Sequence, residues 1–331
     1  MVKIAICDDE TEFLDLLSDS LDSWCRAPRP RKTMTLKNFI TIGTFDGVHA
    51  GHRFLFNRLN VLTANTLTNP LVLYFPLPPK TLLSPRPEMT VLTTPDEKQP
   101  LLEEAAGARA VALDFKQVRN QTPEEFFEIL LTRYQMGGLL IGKDFAFGKD
   151  RAGTAGWLQT ACARREIPFE MSDFLATGEQ KISSSLIRKT LASGAIEEAN
   201  RLLGRPYQLT GTVIVGNKLG RTLGFPTANL DTGIYKILPL GVFAVKARVK
   251  GRVYDAFCNI GFRPTVNTIQ ANIPLVEVNL FDFNEDIYGE QLTVDFYAKL
   301  RDEVKFNGLP ALVAQLTADR KQAKKILQGS F

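Results

Sequence analysis

The stretch Asn38–His52, NFITIGTFDGVHAGH, predicts a strand, a turn and the start of a helix. Its apolar run ends at Gly43, and His49 and His52 stand where the helix begins. They are the only two histidines in the chain. Residues three apart share one face of a helix, so both imidazoles can address one ligand. Because the free N–H groups at a helix N-terminus suit a phosphate, and Gly51 would let a nucleotide approach the backbone, we interpret this stretch as a nucleotidyl-transfer site.

The bulk composition is that of an ordinary soluble protein. The chain has 331 residues, enough for two or three domains, with 44% hydrophobic residues and a formal charge of +4. This small charge does not require nucleic acid or a membrane as a partner and is compatible with anionic small substrates. Four dispersed cysteines predict neither a zinc site nor a disulfide framework. No apolar run approaches the roughly 18 residues of a membrane span, so we expect a cytoplasmic protein.

Residues 1–33 form a separate segment in the sequence. Lys3–Cys7 predicts a strand, the acidic pair Asp8–Asp9 follows, and Phe13–Trp24 is amphipathic. This opening resembles the start of a response-regulator receiver domain. A receiver continues with further βα units, whereas this segment ends in the proline-rich stretch Ala27–Lys32. We therefore interpret it as an appended fragment without a phosphorelay role.

The next part, residues 34–203, alternates strands and helices, which favours a parallel sheet with helices on both faces. Thr94 and Thr122 each begin a capping box. Ligands of such sheets bind at the carboxyl ends of the strands, where the histidine turn and Gly142–Gly148 lie. The predicted strands are Phe39–Gly43, Leu71–Phe75, Arg109–Leu113, Gly138–Gly142 and Ile167–Met171.

Residues 204–331 change to the alternating pattern of an antiparallel β-barrel or sandwich. A helix over about Leu309–Leu327 ends the chain. The predicted strands are Thr210–Val215, Gly241–Val249, Arg252–Ile260, Leu275–Leu280 and Gln291–Leu300.

Two further segments carry candidate chemistry. Ile182–Arg188, ISSSLIR, supplies hydroxyl groups at a helix start and an arginine one turn along. Gly216–Leu230, GNKLGRTLGFPTANL, combines glycines, cations and hydroxyl or amide groups, as a phosphate-binding loop does. In it, Thr227 and Asn229 could offer oxygen ligands to Mg²⁺. Glu277 is a carboxylate among apolar neighbours and could act as a general base, or it could point to solvent by strand alternation.

Four motifs in this order resemble the bacterial bifunctional riboflavin kinase/FAD synthetase family. They are GTFDGVHAGH (43–52), GKDFAFGKDRAG (142–153), ISSSLIR (182–188) and GRTLGFPTANL (220–230). The resemblance extends from about Lys37 to the end of the chain. It implies an α/β nucleotidyltransferase domain of the Rossmann-like HxGH type, then an antiparallel β-barrel riboflavin kinase domain with a C-terminal helix.

The resemblance implies two sequential reactions. The C-terminal half would use ATP and Mg²⁺ to phosphorylate riboflavin to FMN, with Glu277 as the base and with Thr227 and Asn229 holding the metal. The N-terminal half would transfer AMP from ATP to FMN, giving FAD and pyrophosphate. His49 and His52 would stabilise charge at the reacting phosphorus.

The remaining site residues are also implied by the resemblance. Arg188, with Ser184 and Ser185, would grip the leaving phosphates. Flavin contacts would come from Asp144, Phe145, Arg263 and Arg301. The other predicted contacts to ATP or phosphate are Gly43, Thr44, Phe45, Asp46, Gly51, Gly216, Lys218, Gly220, Arg221, Gly224 and Pro226.

The chain departs from the family pattern at a few positions. Leu77 stands where the family usually has a histidine in a Pro-His-Pro triplet, and leucine can neither donate a hydrogen bond nor carry charge. Thr44 in place of asparagine and Ser185 in place of threonine are milder changes. The Leu77 departure predicts that adenylyl transfer is slower or relies more on His49 and His52.

Several alternatives stay open from the sequence. The histidines could be ordinary turn residues, and the glycine-rich loop an ordinary hairpin connection. A related possibility is an HxGH transferase acting on another phosphate ester, although such an enzyme has no need of GRTLGFPTANL. A different class would be a riboflavin kinase whose impaired transferase half serves as a flavin-binding, nucleotide-binding or regulatory module. The sequence does not predict an oligomeric state.

Overall fold

The computed structural model describes residues 36–84, 90–172, 176–177, 180–216, 219–262 and 274–329. Residues from Lys37 onward form one compact unit that contains both the strand–helix half and the β-rich half. The predicted receiver-like segment, residues 1–33, lies outside the described residues. No helix in the described ranges is long and apolar enough to cross a membrane.

The first half is built on a parallel five-stranded sheet, as predicted. Its strand order is β3-β2-β1-β4-β7, and every neighbouring pair is parallel. Two short hairpins, β5–β6 and β8–β9, accompany the sheet. In chain order the strands are β1 Asn38–Gly43, β2 Asn69–Tyr74, β3 Arg109–Ala112, β4 Met136–Gly142, β5 Ala146–Phe147, β6 Gly153–Thr154, β7 Phe169–Ser172, β8 Ala176–Thr177 and β9 Gln180–Lys181.

Helices pack against both faces of this sheet, as predicted. The two predicted capping boxes are present: the Glu97 amide donates to the Thr94 hydroxyl, and the Glu125 amide to that of Thr122. The helices are α1 Ala50–Thr66, α2 Pro79–Leu83, α3 Pro95–Ala106, α4 Phe115–Val118, α5 Pro123–Thr132, α6 Ala155–Arg164, α7 Ser184–Ala192 and α8 Ile196–Leu203, with a 3₁₀ turn at Lys149–Arg151.

The strand order places a ligand crevice at the ends of β1 and β4. After β1 the chain adds β2 and β3 on one side of the sheet, and then returns to place β4 on the other side. In open parallel sheets the crevice forms where the order reverses, outside the carboxyl ends of the strands. Gly43 ends β1 and Gly142 ends β4, so the two predicted motifs meet at this point.

The second half is a closed six-stranded barrel in which every pairing is antiparallel. Five of its strands were predicted; the sixth, Ala228–Asp231, lies inside the stretch interpreted as a loop. A short helix, α9 Leu219–Thr222, precedes it. The barrel strands are β10 Tyr207–Ile214, β11 Ala228–Asp231, β12 Gly241–Val249, β13 Arg252–Gly261, β14 Leu275–Leu280 and β15 Gln291–Arg301.

The barrel buries one face of its strands and covers part of the other face with a helix. Leu230, Val276 and Ile260 belong to the barrel interior. On the outer face, Ala323 and Leu327 of α10 (Leu309–Gln328) pack in a cluster with Phe257 and Phe281. Because side chains alternate along a strand, residues next to the interior ones point to this outer face.

Candidate active sites

A cavity of about 420 Å³ lies at the carboxyl ends of β1 and β4, and we call it the histidine cavity. It brings together residues from the turn after β1, the start of α1, the segment after β4 and the start of α7. Its lining includes eleven of the predicted site residues: Gly43, Thr44, Phe45, Asp46, His49, Gly51, His52, Asp144, Phe145, Ser184 and Arg188.

The two histidines stack on each other at the start of α1. Their ring centroids are 3.6 Å apart and the ring planes differ by 18°. His49 is the N-cap residue, and its backbone N–H donates to Nδ1 of His52 over 3.3 Å. This hydrogen bond leaves Nε2 as the protonated nitrogen of a neutral His52. The pair therefore forms one rigid imidazole surface, as the i, i+3 spacing predicts.

Burial keeps both imidazoles neutral in the free protein. The pKa of His49 is lowered to about 4, mainly by desolvation, although the charge of Asp46 opposes this shift. The pKa of His52 is also lowered well below its ordinary value, first by desolvation and then by His49. At neutral pH each ring can therefore offer one N–H donor but carries no net charge.

The turn between β1 and α1 contains backbone conformations that side chains normally avoid. Phe45 and Val48 have φ angles of 47° and 43°, and Gly47 has a φ of 87°. A β-branched residue such as Val48 is especially disfavoured in this left-handed region. Strain of this kind persists only where surrounding contacts hold it, so the partners of this turn matter for the site.

Asp46 supplies most of those contacts. Its side chain is only 2% exposed. The carboxylate accepts hydrogen bonds from the backbone N–H groups of Leu92 and Thr93 at 3.0–3.1 Å, and from the Thr93 hydroxyl. It also pairs with the Arg188 guanidinium at 2.6 Å. These partners anchor Asp46, a role that was not predicted, and its contact with ATP or phosphate stays a prediction.

The serine–arginine segment is bound to the same turn. Nε of Arg188 donates to the Thr90 carbonyl over 2.5 Å, and Nη2 of Arg188 donates to the Asp46 carboxylate over 2.6 Å. The Ser184 hydroxyl donates to the Asp46 carbonyl over 2.8 Å. Ser185 is exposed and is not among the residues lining the cavity, whereas Ser183, the N-cap of α7, is. Ser183 thus lines the cavity although it was not predicted, and the phosphate contact of Ser185 stays a prediction.

Glycine at two positions makes room for neighbouring side chains. A Cβ on Gly51 would lie 3.1 Å from the His49 ring, and one on Gly43 would lie 2.8 Å from the Phe45 ring. Elsewhere in the cavity lining, Phe145 stacks on Phe147, and exposed Asp144 pairs with Lys181 at 2.8 Å. Gly51 therefore fits the imidazole beside it, a reason that the sequence analysis did not foresee.

Leu77 lies in the loop that follows β2, next to the histidine cavity. Pro78 of this loop lines the cavity, and Leu77 is not among the lining residues. The loop is held from beneath by Lys98, whose ammonium donates to the Phe75 carbonyl at 3.1 Å and the Pro76 carbonyl at 2.7 Å. Lys98 is fully buried, and desolvation lowers its pKa to about 8.

The barrel carries two cavities that meet at β11. The loop-side cavity, about 330 Å³, has Gly216, Arg221 and Pro226 in its lining. The helix-side cavity, about 350 Å³, lies toward α10 and includes Gly220 and Arg301. Thr227 and Asn229 line both cavities. The two predicted metal ligands therefore lie at the border between the two adjoining cavities.

Glu277 faces the helix-side cavity. In the sheet register it pairs with Asn229 on one side and Asn259 on the other, so the three side chains project from the same face. All three line this cavity, and Glu277 is half-buried. The alternative in which Glu277 points to bulk solvent is thus not the arrangement in the structure.

Asn229 is prepared for a further ligand. Its side chain is 4% exposed, and Oδ1 has no hydrogen-bond partner among the described residues. Gly216 makes room for it, since a Cβ there would lie 2.2 Å from Nδ2. The described residues contain no cluster of three His, Cys, Asp or Glu able to hold a metal. A magnesium ion bound mainly by phosphate and water needs only one or two protein oxygens, so Thr227 and Asn229 fit it.

The other predicted barrel residues have varied positions. Arg301 lines the helix-side cavity, and its guanidinium pairs with buried Asp319 of α10 at 2.8 Å. Gly224 adopts a φ of 80° in a turn and is not among the lining residues of either cavity. Lys218 and Arg263 lie outside the described residues.

Two asparagines near Glu277 and Thr227 were not predicted as site residues. Asn259 flanks Glu277, and the signal for it was its place in the alternation of β13. Asn279 is 2% exposed and donates from Nδ2 to the Pro226 carbonyl at 2.7 Å, which fixes the residue before Thr227. Both could have been found only from the register between β11, β13 and β14.

Comparison with family models matches both halves of the chain. The model for riboflavin kinase matches residues 203–327, and the model for FAD synthetase matches residues 32–186. The first contains the barrel with its two cavities, and the second contains every lining residue of the histidine cavity except Arg188.

Curated relatives match nearly the whole chain. The bifunctional riboflavin kinase/FMN adenylyltransferase of Bacillus subtilis is 34% identical over 296 residues, which cover 87% of this chain and 92% of the relative. The protein of the same name from Haemophilus influenzae is 38% identical over 290 residues, covering 86% and 92%. A solved structure described as a macrolide-efflux protein from Streptococcus pneumoniae has a TM-score of 0.78 and 32% identity, covering 87% of this chain and 94% of that one.

Proposed function

The chain belongs to the family of bifunctional riboflavin kinases/FMN adenylyltransferases, and from this membership we propose that it makes FMN and then FAD at two separate sites. The proposal rests most directly on Thr227 and Asn229, which line two adjoining cavities beside the carboxylate of Glu277. The first reaction would belong to residues 204–331 and the second to residues 34–203. Both use small molecules, and we place them in the cytoplasm, where ATP is available.

In the kinase site, riboflavin fits the helix-side cavity. Phe225, Phe257 and Leu316 offer apolar surface for a flat ring system. ATP fits the loop-side cavity, where Gly216 and Arg221 are available to its phosphates. The γ-phosphate would then lie at the border of the two cavities, next to Thr227 and Asn229.

The chemistry at this border needs a base and charge neutralisation. Glu277 takes the proton of the ribityl 5′-hydroxyl as its oxygen bonds to the γ-phosphorus, and ADP leaves with the electron pair of the broken bond. Asn229 and Thr227 would hold Mg²⁺ through their oxygens. When bound, the ion neutralises phosphate charge. Asn279 fixes Pro226, and so keeps Thr227 in place.

In the histidine cavity, a phosphate oxygen of FMN would attack the α-phosphorus of a second ATP. The new P–O bond forms as the bond to the β-phosphate breaks, and pyrophosphate departs with the electron pair. Neutral His49 and His52 each donate one N–H to the charge that builds at this phosphorus. Phe145 and Asp144 also line this cavity, and the flavin would bind against them.

One assay tests both reactions. The protein is incubated with riboflavin, ATP and Mg²⁺, and riboflavin, FMN and FAD are separated chromatographically over time. We expect FMN to appear first and FAD to follow, with both dependent on ATP and both abolished by EDTA. If neither product forms, the proposed function is wrong.

A second candidate is supported by Leu77 and by the engagement of Arg188 with Asp46. It is a riboflavin kinase whose transferase half only binds flavin or nucleotide. The assay distinguishes the two when FMN replaces riboflavin: FAD formation supports the bifunctional enzyme, and binding of FMN without FAD formation supports the second candidate.

A further inference from the structure

The barrel contributes one buried lysine to the α/β half. Lys236 lies in the connection between β11 and β12 and is 1% exposed. Its ammonium forms an ion pair with Glu97 of α3 and lies 4.9 Å from the centre of the Tyr207 ring. Glu97 also accepts the backbone N–H of Thr210 at 2.9 Å. A buried charge needs such partners, so this group is held in a fixed place between the two halves.

Next to Lys236 runs the segment 90–93, which we call the strap. Val91 pairs with Lys236 in a parallel bridge. The Val91 N–H donates to the Tyr235 carbonyl, and the Ile237 N–H donates to the Val91 carbonyl, both at 3.0 Å. The Lys236 ammonium itself donates to the Leu92 carbonyl at 2.8 Å. The barrel therefore fixes the strap through both backbone and side chain.

The other side of the strap holds the histidine turn. The N–H groups of Leu92 and Thr93 bind the Asp46 carboxylate, and the Gly47 N–H donates to the Thr93 hydroxyl at 3.1 Å. The Thr90 carbonyl accepts from Arg188. The strained turn at Phe45–Val48, which leads directly to His49, thus rests on a segment that the barrel holds.

We propose that Lys236 is a positioning residue for adenylyl transfer, although it belongs to the barrel. It acts through Leu92, which binds Asp46, and so it sets the place of the histidine turn and of Arg188. This inference rests on the proposed function of the histidine cavity. It assigns no contact between Lys236 and substrate, since Lys236 is not among the lining residues of any of the three cavities described.

The physical reason is that the turn cannot keep its geometry unaided. Non-glycine residues with positive φ relax when the contacts that over-determine them are loosened. Loss of the hydrogen bond to the Leu92 carbonyl leaves the strap held to the barrel by the two backbone hydrogen bonds of Val91, and the N–H groups of Leu92 and Thr93 that bind Asp46 can then shift. When groups that stabilise a transition state are displaced slightly, the rate of the reaction falls strongly.

The test compares both activities in the full-length protein. In Lys236→Met the side chain keeps its length but loses its charge and its donor. We expect kcat for FAD formation from FMN and ATP to fall about 5- to 30-fold, the upper part of the range for mutations that act through a coupled network. Riboflavin phosphorylation in the same preparation should stay within about twofold. Lys250→Met, which alters an exposed ion pair of the barrel, is the matched control and should change neither rate.

A second variant separates positioning from general damage. Lys236→Met leaves Glu97 buried without its ammonium, and this alone can destabilise the protein. The double variant Lys236→Met/Glu97→Gln removes the unpaired charge but does not restore the donor to Leu92. We expect its urea midpoint to recover toward the wild-type value while FAD formation stays low.

Three results would overturn the inference. They are unchanged FAD formation in folded Lys236→Met, an equal loss of both activities, and recovery of FAD formation in the double variant. Failure of the wild-type protein to form FAD would instead remove the proposed function, and the inference with it.

Discussion

Asn229, Glu277 and Asn259 show how single residues acquire a function from their neighbours. Each is an ordinary polar strand residue in the sequence, and the register places them side by side on three adjacent strands. Asparagine side chains offer oxygen and N–H groups but carry no charge, so they can flank a carboxylate without exchanging a proton with it. The proposed base and one proposed metal ligand are therefore held at neighbouring positions of the same sheet.

Replacement of Glu277 tests its role as the base. Glu277→Gln keeps the shape of the side chain but cannot take the hydroxyl proton. We expect kcat for riboflavin phosphorylation to fall about 10²- to 10⁴-fold, the usual contribution of general base catalysis. FAD formation from supplied FMN should not change, which makes it the internal control. A kinase rate within tenfold of wild type would assign the proton to another acceptor.

The neutral state of His49 predicts a pH dependence of stability. Its pKa is about 4 in the folded protein against 6.5 ordinarily. Below pH 6.5, His49 binds a proton in the unfolded chain but stays neutral in the folded protein, so the unfolding free energy falls as the pH drops toward 4. Between pH 7 and pH 5 this residue accounts for about 2 kcal/mol of lost unfolding free energy.

Urea unfolding at pH 7 and pH 5 measures this loss. His49→Gln removes the titrating ring, so the variant should lose about 2 kcal/mol less than wild type between the two pH values. The distant carboxylates titrate in both proteins and cancel in the comparison, whereas His52, whose pKa His49 also lowers, adds to the difference in the same direction. Equal losses in the two proteins would mean that His49 is not desolvated in the fold.

At the level of the element, the short strand β11 carries Asn229, which lines both cavities of the barrel. Ala228–Asp231 has only four residues, two of which, asparagine and aspartate, are rare in strands. It forms because β10 and β14 offer it hydrogen-bonding edges on both sides. Local sequence could not predict this strand, since the segment that precedes it, residues 216–227, is rich in glycine and contains a proline, as is typical of a loop. The chemistry of the segment was predicted, and its geometry was not.

Gly216 tests the fit between the glycine-rich loop and β11. In Gly216→Ala the new Cβ would lie 2.2 Å from Nδ2 of Asn229, so the amide must move. Because Asn229 lies at the border of the two cavities, we expect kcat/KM for riboflavin phosphorylation to fall about 10- to 100-fold.

The control for this substitution is Gly156→Ala in α6, where the new Cβ would have only Thr154 Oγ1 near it, at 3.9 Å. It should leave both activities unchanged. The measurement is the steady-state rate of both reactions in each variant. Normal kinase activity in Gly216→Ala would show that riboflavin phosphorylation does not depend on the present position of the Asn229 side chain.

For the whole molecule, the sequence predicted the two architectures but not the interface between them. Apolar periodicity identifies strands and helices because burial of each element depends on its own residues. The ion pair between Glu97 and Lys236 joins residues 139 apart in sequence, and each would ordinarily be expected at the surface. The anchoring of Asp46 was missed for the same reason, since its partners Leu92 and Thr93 are 46 and 47 residues away.

This interface predicts that the two halves unfold together. The buried contacts of Lys236, Glu97 and Arg205, which donates to the Gly47 carbonyl at 2.9 Å, would all be exposed if either half unfolded alone. Unfolding of one half would also expose the hydrophobic cluster that both halves share, which includes Leu92, Leu191 and Phe296, so partly unfolded states are disfavoured. We expect loss of kinase activity and loss of FAD formation, each assayed immediately after equilibration in urea, to share one midpoint.

Fluorescence of Trp157, which lies in α6 of the α/β half, should follow the same transition once the signal of Trp24 is removed by Trp24→Phe. In Lys236→Met the midpoints should separate, with FAD formation lost at the lower urea concentration, because the strap then depends on backbone hydrogen bonds alone. Separate midpoints already in the wild-type protein would show that the two halves are energetically independent, and that the buried ion pair adds little to their coupling.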